Sequence, residues 1–422
     1  MIYLLLFVEL LFFIINYKLL NRDIYSPTTI SILVFMISTL LTYVEKDLWE
    51  VDIDLLTVIV ISSYFVCATF AEGFGNKIRL KRRFQSKAFN GHILKLPSRL
   101  VFFITILVFL LTFLYAVNAF RTGIANGGVG LNAFAYMKNA YMRGSGVRMN
   151  PLIRQGFKLV MAFGYIACLF FANNVMVYRE KIISNLPYLL IIMCSFAITI
   201  FSGSRTEAFR ILAALLFDYI ILWKESKNWQ KMKSDKSAKA LIRSAIPFVI
   251  IVGILGFASR MLVKTDNTAT STINSIFDYL AYYVGSPVAV LDKKISIAFD
   301  GPGLLSFKFH DPGEFVYLGQ LDYGGNVATI LGRTLFSSGF LITMAFMFLV
   351  YTVGTIVYKN LQNTYTSKNR NTILIISSVL YVCFPMSFYA DLASGLLEIS
   401  QLLIILITWI LCGFVNKYTK VV

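Results

Sequence analysis

Apolar runs long enough to cross a lipid bilayer recur along this 422-residue chain, and no other feature limits its fold as tightly. A spanning helix needs about 20 mostly apolar residues. Within the hydrocarbon core each backbone N–H and C=O must be satisfied inside the protein, and continuous runs of this length meet that demand as helices. The runs predict spans near 1–18, 28–44, 54–73, 100–120, 156–177, 185–202, 207–223, 244–263, 335–357, 372–390 and 398–415. The expected fold is therefore all-α, a polytopic integral membrane protein of about eleven helices forming one membrane domain over 1–422. The first run has neither a basic n-region nor a small-residue cleavage signal, so it is expected to remain as a span. With 57% hydrophobic and 14% charged residues, the composition lies outside the soluble globular range. Cys67, Cys168, Cys194, Cys383 and Cys412 all fall inside apolar runs, which argues against a disulfide framework or a zinc site.

A net charge of +17 would point to nucleic acid in a soluble protein. Here it reports topology, because cytoplasmic loops of membrane proteins are basic. The partner implied is the lipid bilayer, with no nucleic acid. The stretch Lys77-Ile-Arg-Leu-Lys-Arg-Arg83 is expected on the cytoplasmic side. Propagating from it puts Lys224–Arg243 and the C-terminus inside and the N-terminus outside. Most of the 39 basic residues and few of the 22 acidic ones then lie inside.

Two long outer loops result, 121–155 and 264–334. The first is rich in Gly and Tyr. The second starts with Ser271 and runs through Tyr282 and Tyr283 to Pro287. Apolar residues at Ile273, Ile276, Phe277 and Leu280 predict an amphipathic helix lying on the bilayer surface or capping the bundle. Structured outer loops of this length usually carry function.

Eight of the sixteen arginines fall on the outer side: Arg121, Arg143, Arg148, Arg154, Arg205, Arg210, Arg260 and Arg333. Topology alone predicts their depletion there. A guanidinium at a helix end presents a planar fork that matches phosphate oxygens. Arg205, in Phe201-Ser-Gly-Ser-Arg205-Thr-Glu-Ala-Phe-Arg210, closes one run and opens the next. Arg154 and Lys158 are four apart on one helical face, and Arg260 and Arg333 sit near outer helix ends. Together Arg205, Arg210, Arg260, Arg154 and Arg333 are candidate pyrophosphate ligands. Arg210 has a second reading, pairing with Glu207 three residues earlier, and Arg260 a second one, snorkelling to lipid head groups.

The outer segment Phe307-Lys-Phe-His310-Asp311-Pro-Gly-Glu314 supplies candidate proton acceptors. His310, or the carboxylates of Asp311 or Glu314, has the chemistry to deprotonate an attacking hydroxyl. Asp311-Pro-Gly also reads as a plain turn. The spacing of these residues matches no metal-ligand pattern, so no metal site is expected. Tyr282, Tyr283 and Asn326 are candidate glycan contacts, although tyrosines also populate interfacial belts. There is no P-loop, no dinucleotide fingerprint and no cytoplasmic domain large enough for a nucleotide sugar. No cofactor is expected, and a membrane-borne, already activated donor would have to supply the energy of any synthesis.

Three stretches carry a resemblance to the O-antigen and capsule repeat-unit polymerases of bacteria. Ser202-Gly-Ser-Arg205-Thr resembles the family's Gly-Ser-Arg element between two spans. Tyr283-Val-Gly-Ser-Pro287 is similar to a small-residue/Pro element early in its long outer loop. Gly325-Asn326-Val-Ala-Thr329 through Ser338-Gly339-Phe340 is similar to the segment that enters the next span. Family members often carry an acidic residue just before the Gly339-like glycine, where this chain has Ser337-Ser338.

The resemblance implies a GT-C-type, metal-independent, inverting glycosyltransferase. It would join undecaprenyl-diphosphate-linked oligosaccharide repeat units on the outer face of the bacterial cytoplasmic (inner) membrane. It also implies a separate chain-length-regulating membrane protein as a partner. Two alternatives stand beside it: an O-antigen ligase, which would use nearly the same donor site, and a lipid-linked oligosaccharide flippase, which would transport and not transform.

Overall fold

The computed structural model describes residues 1–20, 23–78, 93–144, 146–203, 205–226, 276–298, 315–319, 323–325, 327–363 and 370–421. Its longer helices are α1 (Ile2–Leu19), α2 (Pro27–Val44), α3 (Leu55–Lys77), α4 (Ser98–Ala125), α5 (Ala133–Arg143) and α6 (Pro151–Phe171). They continue as α7 (Leu186–Phe201), α8 (Arg205–Ser226), α9 (Ile276–Ala298), α10 (Phe340–Asn363), α11 (Arg370–Tyr381) and α12 (Ile399–Tyr418). Among the described residues eight helices are long and apolar enough to cross a membrane: α1 to α4, α6, α7, α10 and α12. The protein is an all-α polytopic membrane protein. The predicted span 244–263 lies outside the described residues.

The helices form two compact units interleaved along the sequence. Unit 1 holds Met1–Arg82, Asn267–Asn360 and Tyr381–Leu397. Unit 2 holds Arg83–Asp266, Leu361–Leu380 and Glu398–Val422.

In unit 1, α2 begins where the sequence marks a helix start. Ser26 precedes Pro27 and its hydroxyl accepts the Thr29 N–H at 3.3 Å. The buried Glu72 of α3 takes the Thr28 N–H at 2.9 Å, so a second orphan donor of that first turn is satisfied. Helix α10 packs on α3 through hydroxyls. Tyr351 donates to Ser31 at 2.6 Å and meets the Tyr64 hydroxyl, and Ser31 in turn donates to the Phe384 carbonyl at 3.2 Å.

Two differences from the sequence-based expectation lie in this unit. Helix α9 runs on past Pro287 to Ala298. It packs along α2, with Val288, Leu291 and Ile295 fully buried. Pro287 sits inside it, where a proline removes one backbone donor and opens the turn. Hydroxyls of α2 compensate: Ser38 donates to the Val284 carbonyl at 2.5 Å and Thr42 to that of Gly285 at 2.9 Å. The second difference is that the predicted span 372–390 is helical only to Tyr381. Pro385 cannot donate to the Tyr381 carbonyl four residues back, so the helix stops there and turns follow.

In unit 2, α6 is the central element, packed against α4, α7, α8 and α12, with Val160–Phe170 almost wholly buried. Gly164 allows the close approach, since a Cβ there would overlap the Ser195 hydroxyl of α7. Asn150 caps α6 by accepting the Leu152 N–H at 2.9 Å, with Pro151 at the first helical position. At the other end α6 widens into a π segment, Ala172–Val177. There the Asn174 amide accepts from Leu94 N–H at 3.0 Å and donates to Leu94 C=O at 2.8 Å. Strand β1 (Leu94–Lys95) also pairs antiparallel with the C-terminal residues Lys420–Val421.

Candidate functional site

In unit 2 two of the candidate arginines, Arg205 and Arg210, lie in the first turns of α8. Helix α7 ends at Phe201, and Gly203 follows with φ +70, a left-handed conformation that suits glycine. Arg205 then opens α8; its side chain lies outside the description. The segment 121–155 is not extended chain, because α5 folds back onto α4. Its Phe134 ring lies 5.2 Å from that of Phe201. Its Lys138 stem covers Gly203 so closely that an added Cβ would meet Lys138 Cδ at 2.8 Å. The Gly-Ser-Arg turn is thus roofed by a lysine-bearing helix, a neighbour that the sequence did not reveal.

One and a half turns into α8, Arg210 is 4% exposed. Its Nε lies 3.6 Å from Glu207 Oε1, so the pairing expected at this spacing is present. That carboxylate oxygen is shared. Gln401, near the start of α12, donates to it at 2.5 Å. Arg210 Nε and Nη1 are left without a hydrogen-bond partner, as are Glu207 Oε2, Gln401 Oε1 and the Tyr165 hydroxyl of α6. Buried polar groups are normally paired, and an unpaired one costs about 1–3 kcal/mol. On α6 Arg154 is exposed and Lys158 is buried. Arg260 lies outside the described residues.

Unit 1 holds a second grouping, built where irregular backbone crosses. Thr329 and Ala390 form an isolated parallel bridge, and the Ile330 N–H donates to the Ser387 carbonyl at 2.7 Å. Thr329 is 1% exposed and has φ +54. A buried β-branched residue in that region stores about 1–3 kcal/mol of strain, and such strain concentrates at functional sites.

The crossing sets Arg333, on the short helix Gly332–Ser338, within electrostatic reach of Asp391. The Asp391 side chain accepts the Ser394 N–H at 3.0 Å through Oδ1, while Oδ2 has no partner. Burial pushes its carboxyl above the ordinary range, against the opposing pull of Ser394, Thr334 and Arg333. Tyr389, two residues earlier, stands 6.4 Å from the Tyr283 ring. Tyr283 meets Tyr282 edge-on at 5.3 Å, and Tyr282 meets Trp49 at 6.4 Å.

So Arg333, Tyr282 and Tyr283 lie in unit 1, and Arg154, Arg205 and Arg210 in unit 2. His310, Asp311, Glu314 and Asn326 lie outside the described residues. Asp391 and Gln401 had no local signal beyond being polar residues at the borders of apolar runs. Among the described residues no group of three or more His, Cys, Asp or Glu side chains converges on a metal-sized site. Compared with protein-family models, with curated proteins and with solved structures, the chain matches none.

Proposed function

We propose that this protein is an integral-membrane glycosyltransferase of GT-C type with eleven spans. It joins undecaprenyl-diphosphate-linked oligosaccharide repeat units on the outer side of the bacterial cytoplasmic membrane. The observation that carries the reading is Arg210, a buried guanidinium with Nε and Nη1 unpaired beside Glu207. Sharing of Glu207 with Gln401 leaves this cation under-coordinated, and the diphosphate oxygens of a leaving lipid carrier are matched acceptors. Arg205 opens the same helix at its outer end.

In the reaction an acceptor sugar hydroxyl attacks the anomeric carbon of the donor glycan and gives its proton to His310 or to the neighbouring carboxylate of Asp311 or Glu314. The bond to undecaprenyl diphosphate breaks, and its electron pair leaves with the diphosphate. Arginine donors hold the charge that develops there, the contribution that usually dominates such catalysis. A single displacement inverts the anomeric centre and needs no metal.

The reading is tested with purified protein in detergent, given a synthetic lipid-linked repeat unit. Lengthening of the glycan is expected, and no product with both substrates present would overturn it. In cells Arg205→Lys keeps the charge but loses the fork. Polymer length should collapse at normal protein abundance, with rates reduced about 10²-fold or more, the scale of a lost transition-state donor. An unchanged polysaccharide ladder would remove Arg205 from the mechanism.

One observation favours the flippase reading. Glu207, Arg210, Asp218 and Glu225 are all buried along α8 from its first turns to its last. Intramembrane ionisable groups of this kind mark transport paths in other proteins. Movement of a fluorescent lipid-linked oligosaccharide across reconstituted vesicles, without elongation, would support transport in place of synthesis.

A further inference from the structure

One face of α8 carries three buried acids from its first turn to its last, and the transfer reaction concerns only the first of them. Glu207, Asp218 and Glu225 lie within about 20° of one another around the helix, over a rise of about 27 Å. That rise is close to the hydrocarbon thickness of a bilayer, about 30 Å. We propose that unit 2 conducts protons through a column of buried side chains along this face, with Asp218 as the carrier at its middle. The activity is independent of glycan transfer and goes beyond it.

Four helices of unit 2, α6, α8, α11 and α12, supply the links. At the start of α8, Glu207 Oε1 accepts from Gln401 and meets Arg210, while Oε2 has no partner among the described residues. The Tyr165 hydroxyl of α6 is fully buried, is likewise unpartnered among those residues, and lies within electrostatic reach of Glu207 and Arg210. Cys168, one turn further along α6, reaches Tyr165 on one side and Asp218 on the other. In the last turns of α8, Arg370 of α11 is within reach of Asp218 and grips Glu225 through Nε at 3.2 Å and through Nη2. Ionisable and hydroxyl groups are thus neighbours at every stage from Glu207 to Glu225.

Asp218 has the surroundings of a carrier. It is 0% exposed, and neither carboxyl oxygen has a hydrogen-bond partner among the described residues. The groups that face it are Cys168 of α6, Cys412 of α12, and Ser378 and Arg370 of α11. Ser378 gives its hydroxyl proton to the Ile375 carbonyl at 2.8 Å, and Arg370 is held by Glu225. A bare carboxylate so placed has no donor to replace water, and a proton on one oxygen removes the charge that would need one. Carboxyls inside membrane bundles serve as proton relays in pumps and transporters. A proton needs no cavity, since it moves by exchange between neighbouring hydroxyl, thiol and carboxyl groups. Bare guanidinium groups would repel it, yet Arg210 and Arg370 are each matched by a carboxylate.

The step balances. An O–H bond forms at one Asp218 oxygen as the proton arrives and breaks as it passes on. Each relay group gives up one proton as it takes another, and no other bond changes.

The test uses the purified full-length protein in phospholipid vesicles that hold a pH-sensitive dye, with no lipid-linked glycan present. A potassium diffusion potential set with valinomycin, negative inside, drives proton entry. Wild-type vesicles should acidify faster than protein-free ones. Asp218→Asn keeps the shape of the side chain but cannot take up and release the proton. Its flux should fall to the protein-free rate with an unaltered elution profile. Asp218→Glu keeps an acid and should recover part of the flux, and Tyr165→Phe should slow it. Wild-type flux no faster than that of protein-free vesicles overturns the inference, as does Asp218→Asn flux equal to wild type. Should Asp218→Asn not fold, Tyr165→Phe decides, and undiminished flux there overturns the column. Since no glycan substrate takes part, either of these failures leaves the lengthening of a lipid-linked repeat to be judged by its own assay.

Discussion

Units 1 and 2 handle polar groups inside an apolar setting in opposite ways. Unit 2 neutralises charge with charge. Arg210 meets Glu207, and Arg370 grips the 2% exposed Glu225 through Nε at 3.2 Å and through Nη2. On the flank of this unit Lys95 reaches Glu180 at 2.8 Å. Apart from Arg333 beside Asp391, unit 1 instead sets hydroxyls on backbone that has left regular geometry. Ser38 and Thr42 serve the carbonyls around Pro287, and the Ser31–Tyr351–Tyr64 set braces the segment that Pro385 has unwound. The contrast teaches where each unit is vulnerable. One fails when a charge is orphaned, the other when a hydroxyl is removed.

The largest effect should come from Arg370→Ala in unit 2. It leaves the buried Glu225 carboxylate without compensation, a loss of about 3–5 kcal/mol for a broken buried pair. A clear fall of the melting midpoint in detergent is expected, and a midpoint within error of wild type would break the comparison. Next, Tyr351→Phe in unit 1 removes a hydroxyl bonded on both sides and should cost about 1–3 kcal/mol. If it matched or exceeded Arg370→Ala, hydroxyl bracing would be the stronger device. Smallest is the Lys95–Glu180 pair. Lys95 is 47% exposed, so Lys95→Ala should cost under about 1 kcal/mol.

That last pair also differs in sign from Asp391. Lys95 and Asn185 hold the Glu180 carboxyl below its ordinary range. Its contribution is present above the unfolded carboxylate pKa and is lost as pH falls through the lowered value. Asp391 is raised by burial, so its ionisation costs stability and acidification through the raised value restores it. Stability measured against pH should therefore lose a component in Lys95→Ala at the acid end. In Asp391→Asn the component lost should lie at higher pH and have the opposite slope. Identical curves for the two variants would erase the distinction.

Much of the fold was legible because the bilayer writes its demands locally. Each spanning helix satisfies its own backbone, so an apolar run such as Ser98–Ala125 announces itself without its neighbours. Ser26-Pro27 and Asn150-Pro151 likewise mark helix starts with residues adjacent in the chain. The span 372–390 was read through Pro385, since hydropathy has no term for a missing donor.

The site was less legible. Arg210 and its pairing with Glu207 lie within one helical turn, so spacing alone exposed both. Gln401, which decides how that pair divides, is 194 residues from Glu207. Asp391 reaches Arg333 only because Thr329 bridges to Ala390.

By itself the sequence determined a membrane class and most helix positions, since hydrocarbon imposes those choices residue by residue. The tertiary structure alone decided which acid faces which base and which hydroxyl repairs which broken turn. Such contacts join segments hundreds of residues apart, and their energy exists only once packing has brought the segments together.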